Sequence, residues 1–152
     1  MDCQELIDTG DARLSPSPAF SEPDQGILLV EDERLVREVA GEVLRSAGYA
    51  VWKAASAAEA LQLFEQHPAD IKLLITDVVL PDDRGPDLAQ RLQVAGGWFQ
   101  TILISGYPER MIAKGAHEQC TFFYLAKPFS AEMLIRKVKR VLSLREMSTS
   151  PY

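Results

Sequence analysis

The sequence predicts an α/β fold: a doubly wound, five-stranded parallel sheet with helices on both faces. Three observations carry this. Short apolar runs alternate with stretches of helical periodicity five times along the chain, which favours parallel strands joined by right-handed crossovers. The runs "ILLV" (27–30), "IKLLIT" (71–76) and "TILIS" (101–105) are apolar almost throughout, as in strands covered on both faces. Acidic, hydroxylic or basic residues then stand just where several runs end, at the edge where such sheets bind ligands.

Residues 1–25 show no apolar periodicity and contain Pro16, Pro18 and Pro23 with serines between them. They read as a disordered or loosely docked acidic tail. The first strand, 27–30, is followed by a helix in which Leu35, Val36, Val39, Ala40, Val43, Leu44 and Ala47 make one apolar face, ended by Gly48. "AVWKA" (50–54) is the second strand. "SAAE" (56–59) is a capping box: Ser56 bonds the amide of Glu59, and Glu59 reaches back. Leu61 and Phe64 face inward on the helix it opens. The third strand is 71–76. The next helix is opened by Pro86 and carries Leu88, Leu92 and Val94. After the fourth strand, 101–105, Pro108 starts a short helix with Met111 and Ile112, ended by Gly115. "FFYL" (122–125) is the fifth strand. Ser130 caps the last helix, whose buried stripe is Leu134, Val138, Val141 and Leu142. These elements delimit a domain over 26–146, with a short tail over 147–152.

The 152 residues are 47% hydrophobic and 25% charged, enough for one domain with a real core. No apolar run approaches the ~18 residues of a membrane span, and the acidic N-terminus lacks the apolar region of a secretory signal. The two cysteines, Cys3 and Cys120, make neither a disulfide framework nor a metal-ligand spacing, so a cytoplasmic location is expected. Of the net charge of −6, residues 1–26 hold six acids against one base, and the remainder holds 16 acids against 15 bases. A nearly neutral folded part gives no support for nucleic-acid binding.

Function is read from the strand ends. Glu31 and Asp32 follow the first strand, Asp77 the third, Ser105 closes the fourth, and Lys127 and Pro128 follow the fifth. Parallel topology gathers them at one edge. Clustered carboxylates repel, so one must hold a proton unless a cation joins them. A hard divalent ion with oxygen ligands suits the set, and Mg²⁺ prefers one or two carboxylates plus water and phosphate oxygens. With no histidine in the cluster, zinc is not expected. An aspartate neutralised in this way can attack phosphorus, with Lys127 and Ser105 contacting phosphoryl oxygens.

The stretches "ILLVEDE", "LLITDVVLPDDRGPDL", "TILISGY" and "YLAKPF" closely resemble response-regulator receiver domains of two-component signalling, over residues 26 to about 145. The resemblance implies the flavodoxin-like strand order 2-1-3-4-5. It implies Asp77 as phosphoacceptor, Asp32 as a direct Mg²⁺ ligand, Glu31 as a ligand mainly through water, and the backbone carbonyl of Val79 as a further ligand. Ser105 and Tyr124 correspond to the switch pair and Lys127 to the phosphate-contacting lysine. The Lys127–Pro128 bond is expected cis, and Gly85 matches the turn glycine. The implied donor is a histidine kinase or histidine phosphotransfer protein, and the output an unidentified protein partner. Val79 and Tyr107 border the approach of a hydrolytic water, which implies a long-lived phosphate. The expected molecule is a stand-alone receiver, similar to those of hybrid kinases, a phosphoacceptor and not an enzyme. Two alternatives are a receiver-like binding module that is never phosphorylated and an aspartate-nucleophile phosphatase. Against the phosphatase stands Val79, where that chemistry needs an acid/base aspartate.

Overall fold

A computed structural model describes residues 25–106 and 122–149. Strands β1 (Gly26–Val30), β2 (Ala50–Ala54), β3 (Ile71–Asp77), β4 (Gln100–Ser105) and β5 (Phe122–Ala126) alternate with helices α1 (Arg34–Ser46), α2 (Ala57–Gln66), α3 (Gly85–Val94) and α4 (Ala131–Thr149). All neighbouring strands pair in parallel, in the order β2-β1-β3-β4-β5. The short helix expected after Pro108, together with Tyr107 and both cysteines, lies outside the described residues, as does the tail up to residue 24. Helix α4 continues through Thr149, so its last turn overlaps the stretch read as a C-terminal tail.

The apolar runs build two cores because successive strand residues face opposite ways. In β1, Ile27 and Leu29 join Leu73, Ile75, Ile102 and Ile104 on the side covered by α1 and α4. Leu28 and Val30 join Leu74, Phe64, Leu88 and Leu92 on the side covered by α2 and α3. Each fully buried Leu or Ile contributes roughly 1.5–3 kcal/mol, so covering both faces is what makes continuous apolar strands favourable. The stripe Leu134, Val138, Val141 and Leu142 of α4 is buried as its spacing predicts. Ser130 caps that helix through the Met133 amide at 3.1 Å.

Helix α1 departs from expectation. Ala40 and Leu44 are buried and Val43 packs against the core, but Leu35 is 75% and Val39 61% exposed, and Ala47 is exposed as well. The apolar arc of α1 is wider than the sheet can cover. Its outer edge is left facing solvent beside the β5–α4 loop.

Candidate functional site

Each chemical group at the sheet edge is set by the strand beneath it. Beyond β1, the Glu31 amide donates to the Ala54 carbonyl at 3.0 Å, continuing the pairing with β2 by one residue. Glu31 is thereby turned inward and is 1% exposed. Its Oε2 accepts from the Glu33 amide at 3.0 Å, and its main-chain carbonyl accepts from Arg37 Nη1 at 2.8 Å. Asp32 faces solvent. Asp77 is the last residue of β3 and is 6% exposed. Past β5, the Lys127 amide donates to the Ser105 carbonyl at 2.9 Å, and the Lys127–Pro128 bond is cis.

These elements surround a cavity of about 190 Å³ lined by Asp32, Asp77, Val79, Ser105 and Lys127, among others. Carboxylate oxygens of Glu31, Asp32 and Asp77 lie within 4.8 Å of one another. Lys127 Nζ is 3.1 Å from Asp77 Oδ1 and 3.3 Å from Glu31 Oε1. The second approach is not aligned as a hydrogen bond, so Glu31 Oε1 is buried without a hydrogen-bond partner. Burial, and after it the neighbouring Glu31 carboxyl, push the Asp77 carboxyl up to about 8 against the opposing pull of Lys127. Burial also works against the Lys127 ammonium, but Asp77 and Glu31 together outweigh it and hold the lysine above its ordinary range. One ammonium cannot neutralise two buried acids and a third at the rim. A buried acceptor oxygen that forms no aligned hydrogen bond, among carboxylates this close that share one ammonium, fits a hard divalent cation.

The connection from β3 to α3 is tightly folded around this edge. Leu80 donates to the Asp83 carbonyl at 2.9 Å, closing a turn, and Gly85 donates to the Val78 carbonyl at 2.7 Å. Val79 and Arg84 form an antiparallel bridge. A Cβ on Gly85 would collide with the Asp77 carbonyl oxygen, so only glycine lets α3 start this close to the strand end. At the apex, Asp82 Oδ1 and Oδ2 accept from the amides of Ala57 and Ala58 at 2.9 Å each. Those two bonds hold the Asp82 carboxyl below its ordinary range.

Residues 27–139 match the family described as the response regulator receiver domain. The chain is a member of that family. It is 37% identical over 79% of its length to the sensor kinase CckA of Brucella abortus, of which it spans only 13%. It is 34% identical over 85% of its length to the DNA-binding transcriptional regulator NtrC of Bradyrhizobium, spanning 27% of it. It is 27% identical to sporulation initiation phosphotransferase F of Bacillus subtilis, covering 80% of this chain and 97% of that one. The solved receiver domain of the hybrid histidine kinase CckA superposes with a TM-score of 0.65 at 37% identity, covering 77% of this chain and 98% of that one. The receiver thus belongs to two-component signalling, with the flavodoxin-like strand order expected for it.

Of the residues singled out from sequence, the receiver fold brings Glu31, Asp32, Asp77, Val79, Ser105 and Lys127 to one edge. Tyr124 sits on β5 opposite Leu103, packed against Val78 and Leu103 rather than lining the cavity. Two residues that shape the site escaped the sequence reading. Arg37 braces the Glu31 carbonyl from about one turn into α1, and its only signal was a basic residue on the helix beginning there. Asp82 looked like an ordinary turn acid, and its partners are 25 and 24 residues away in sequence. Among the described residues, no helix is long and apolar enough to cross a membrane.

Proposed function

We propose that this receiver accepts a phosphoryl group on Asp77 from a phosphohistidine of a histidine kinase or histidine phosphotransfer protein, in the cytoplasm, and acts as a phosphoacceptor and not as an enzyme. The observation that carries this is the cluster of Glu31, Asp32 and Asp77 around a single ammonium, with Glu31 Oε1 lacking a hydrogen-bond partner. Glu31, Asp32, Asp77 and the Val79 main-chain carbonyl would hold Mg²⁺, which supplies positive charge to the phosphoryl oxygens. The Asp77 carboxylate attacks phosphorus. A P–O bond forms, the P–N bond to imidazole breaks, and the imidazole nitrogen keeps the electron pair and takes a proton from solvent. Lys127 holds one phosphoryl oxygen as a point charge. Ser105 donates to another and is drawn inward, giving Tyr124 room to turn, and this change alters partner binding. With Mg²⁺ and acetyl phosphate, the protein should take up acid-labile phosphate and Asp77→Asn should take up none. Uptake by the variant at the wild-type rate would overturn the assignment.

Lys127 lines both the acidic cavity and a groove of about 570 Å³ formed with Leu35, Val36, Val39, Pro128 and Phe129. We assign this groove to an apolar helix face of the donor, because the groove is apolar and shares Lys127 with the cavity that holds Asp77. Leu35→Asp with Val39→Asp should leave acetyl phosphate labelling intact and slow transfer from a phosphohistidine protein by roughly tenfold or more. Unchanged transfer would reject the assignment. A wild-type dimer in sedimentation that the double variant abolishes would instead give the face to self-association.

A further inference from the structure

We propose that Asp82 is a positioning residue: by clamping the first two amides of α2, it fixes the β3–α3 loop that presents Val79 to the acidic cavity. The inference rests on the reading of that cavity as a cation site.

Val79 is 57% exposed, so its side chain gives the loop little hold on the core. Leu80 is buried among the residues that α2 and α3 cover, which fixes the inner limb of the turn. The Leu80–Asp83 and Gly85–Val78 bonds close the loop on itself but do not tie its apex to the body of the protein. Among the described residues, two side chains of the apex reach out. Asp83 Oδ2 lies 3.0 Å from Arg91, whose side chain is 58% exposed, and a pair open to solvent on one side holds weakly. Asp82 places both carboxylate oxygens on main-chain donors of a helix packed against the sheet. Charge-assisted bonds to two fixed amides restrict the apex far more than a flexible ion pair does.

The helix does not need Asp82 to the same degree. Its N-terminus has local caps of its own: the Glu59 amide donates to Ser56 Oγ at 3.2 Å, and Glu59 Oε1 reaches back past the N-cap to accept from the Ala55 amide at 2.8 Å. Asp82 adds the two remaining first-turn amides and meets the positive end of the helix dipole. One carboxylate therefore connects α2 to a loop that lines the cavity. Ligand carbonyls held by such outlying bonds lose affinity when those bonds are removed.

The test separates a clamp on the loop from a simple helix cap. Ser56→Ala removes a bond at the same helix end without touching the loop. Amide exchange in metal-free protein should quicken at Leu80 and Gly85 by roughly fivefold or more in Asp82→Ala, and stay unchanged in Ser56→Ala. Calorimetric Mg²⁺ titration should give a dissociation constant raised roughly three- to tenfold in Asp82→Ala and unaltered in Ser56→Ala. Asp82→Asn, which keeps one acceptor oxygen, should fall between, and serves if the alanine variant does not fold. Wild-type exchange at Leu80 and Gly85 in both Asp82 variants, or equal changes in Ser56→Ala, would overturn the clamp. If the wild type gives no Mg²⁺ response, the cation reading falls, and the exchange rates alone still decide whether Asp82 holds the loop.

Discussion

Asp77 and Asp82 stand on the same connection, five residues apart, in opposite surroundings. Asp77 is buried beside another acid, and its carboxyl is pushed up to about 8. Asp82 is at the surface, with both oxygens on helix amides, and its carboxyl is held below the ordinary range. The same side chain is thus a poorly satisfied charge in one place and a satisfied one in the other. The difference supports the proposal that Asp77, and not Asp82, takes the phosphoryl group. A carboxylate already given two good donors has no reason to take a cation or attack phosphorus. A buried one crowded by a second acid gains from both.

The largest break in this comparison comes from Lys127, the cation that partly satisfies Asp77. Lys127→Ala should slow phosphorylation from acetyl phosphate by roughly 100-fold, about 2.7 kcal/mol of barrier, because a positioned charge on a phosphoryl oxygen is lost. Rates within twofold of wild type would show that the lysine serves only to offset the acids in the resting protein.

A smaller effect appears in stability, measured by urea unfolding in chelator across pH. The folded Asp77 carboxyl titrates near 8, whereas its ordinary value is 3.8. Between those values the unfolded chain has released a proton that the folded protein retains. Metal-free stability therefore falls as pH rises from about 4 to about 8 and levels off above. Asp77→Asn removes that loss, so it should be the more stable protein at pH 8, by on the order of 2 kcal/mol, and Mg²⁺ should close the gap by stabilising the wild type alone. A variant less stable than wild type in chelator would mean that Asp77 is not under strain. Asp82 should behave with the opposite sign and least amplitude. Its folded value is lowered, so its contribution is present above 3.8 and lost as pH falls through the folded value. The small deficit of Asp82→Ala at neutral pH should vanish in acid.

How much of this was legible in the sequence depended on the distance over which each cause acts. The cap formed by Ser56 and Glu59 was readable because both lie within one turn: Ser56 accepts from the Glu59 amide as expected, and Glu59 reaches back one residue farther than a capping box, to the Ala55 amide. The strands were readable because "ILLV" and "TILIS" leave no face for water. Their carboxyl ends gathered Glu31, Asp77, Ser105 and Lys127 without any contact having to be known, since parallel topology alone puts strand ends on one edge. The spacing of Leu134, Val138 and Val141 likewise stated which side of α4 is buried.

Other features were out of reach for definite reasons. Helical spacing told that Leu35 and Val39 share an arc with Ala40 and Leu44, but not how much of that arc is covered, because coverage depends on how α1 packs against strands and a last helix remote in sequence. Nothing near Asp82 distinguished it from its neighbour Asp83, yet one meets two helix amides and the other an arginine. Periodicity, local capping and strand-end chemistry are short-range properties, and they determined the fold, the acidic edge and the family resemblance. Which apolar residues stay exposed, how strongly each carboxyl is perturbed and which turn acid reaches a distant helix depend on packing between segments remote in sequence. Only the tertiary structure decides those, because burial and donor geometry come into being when the segments meet.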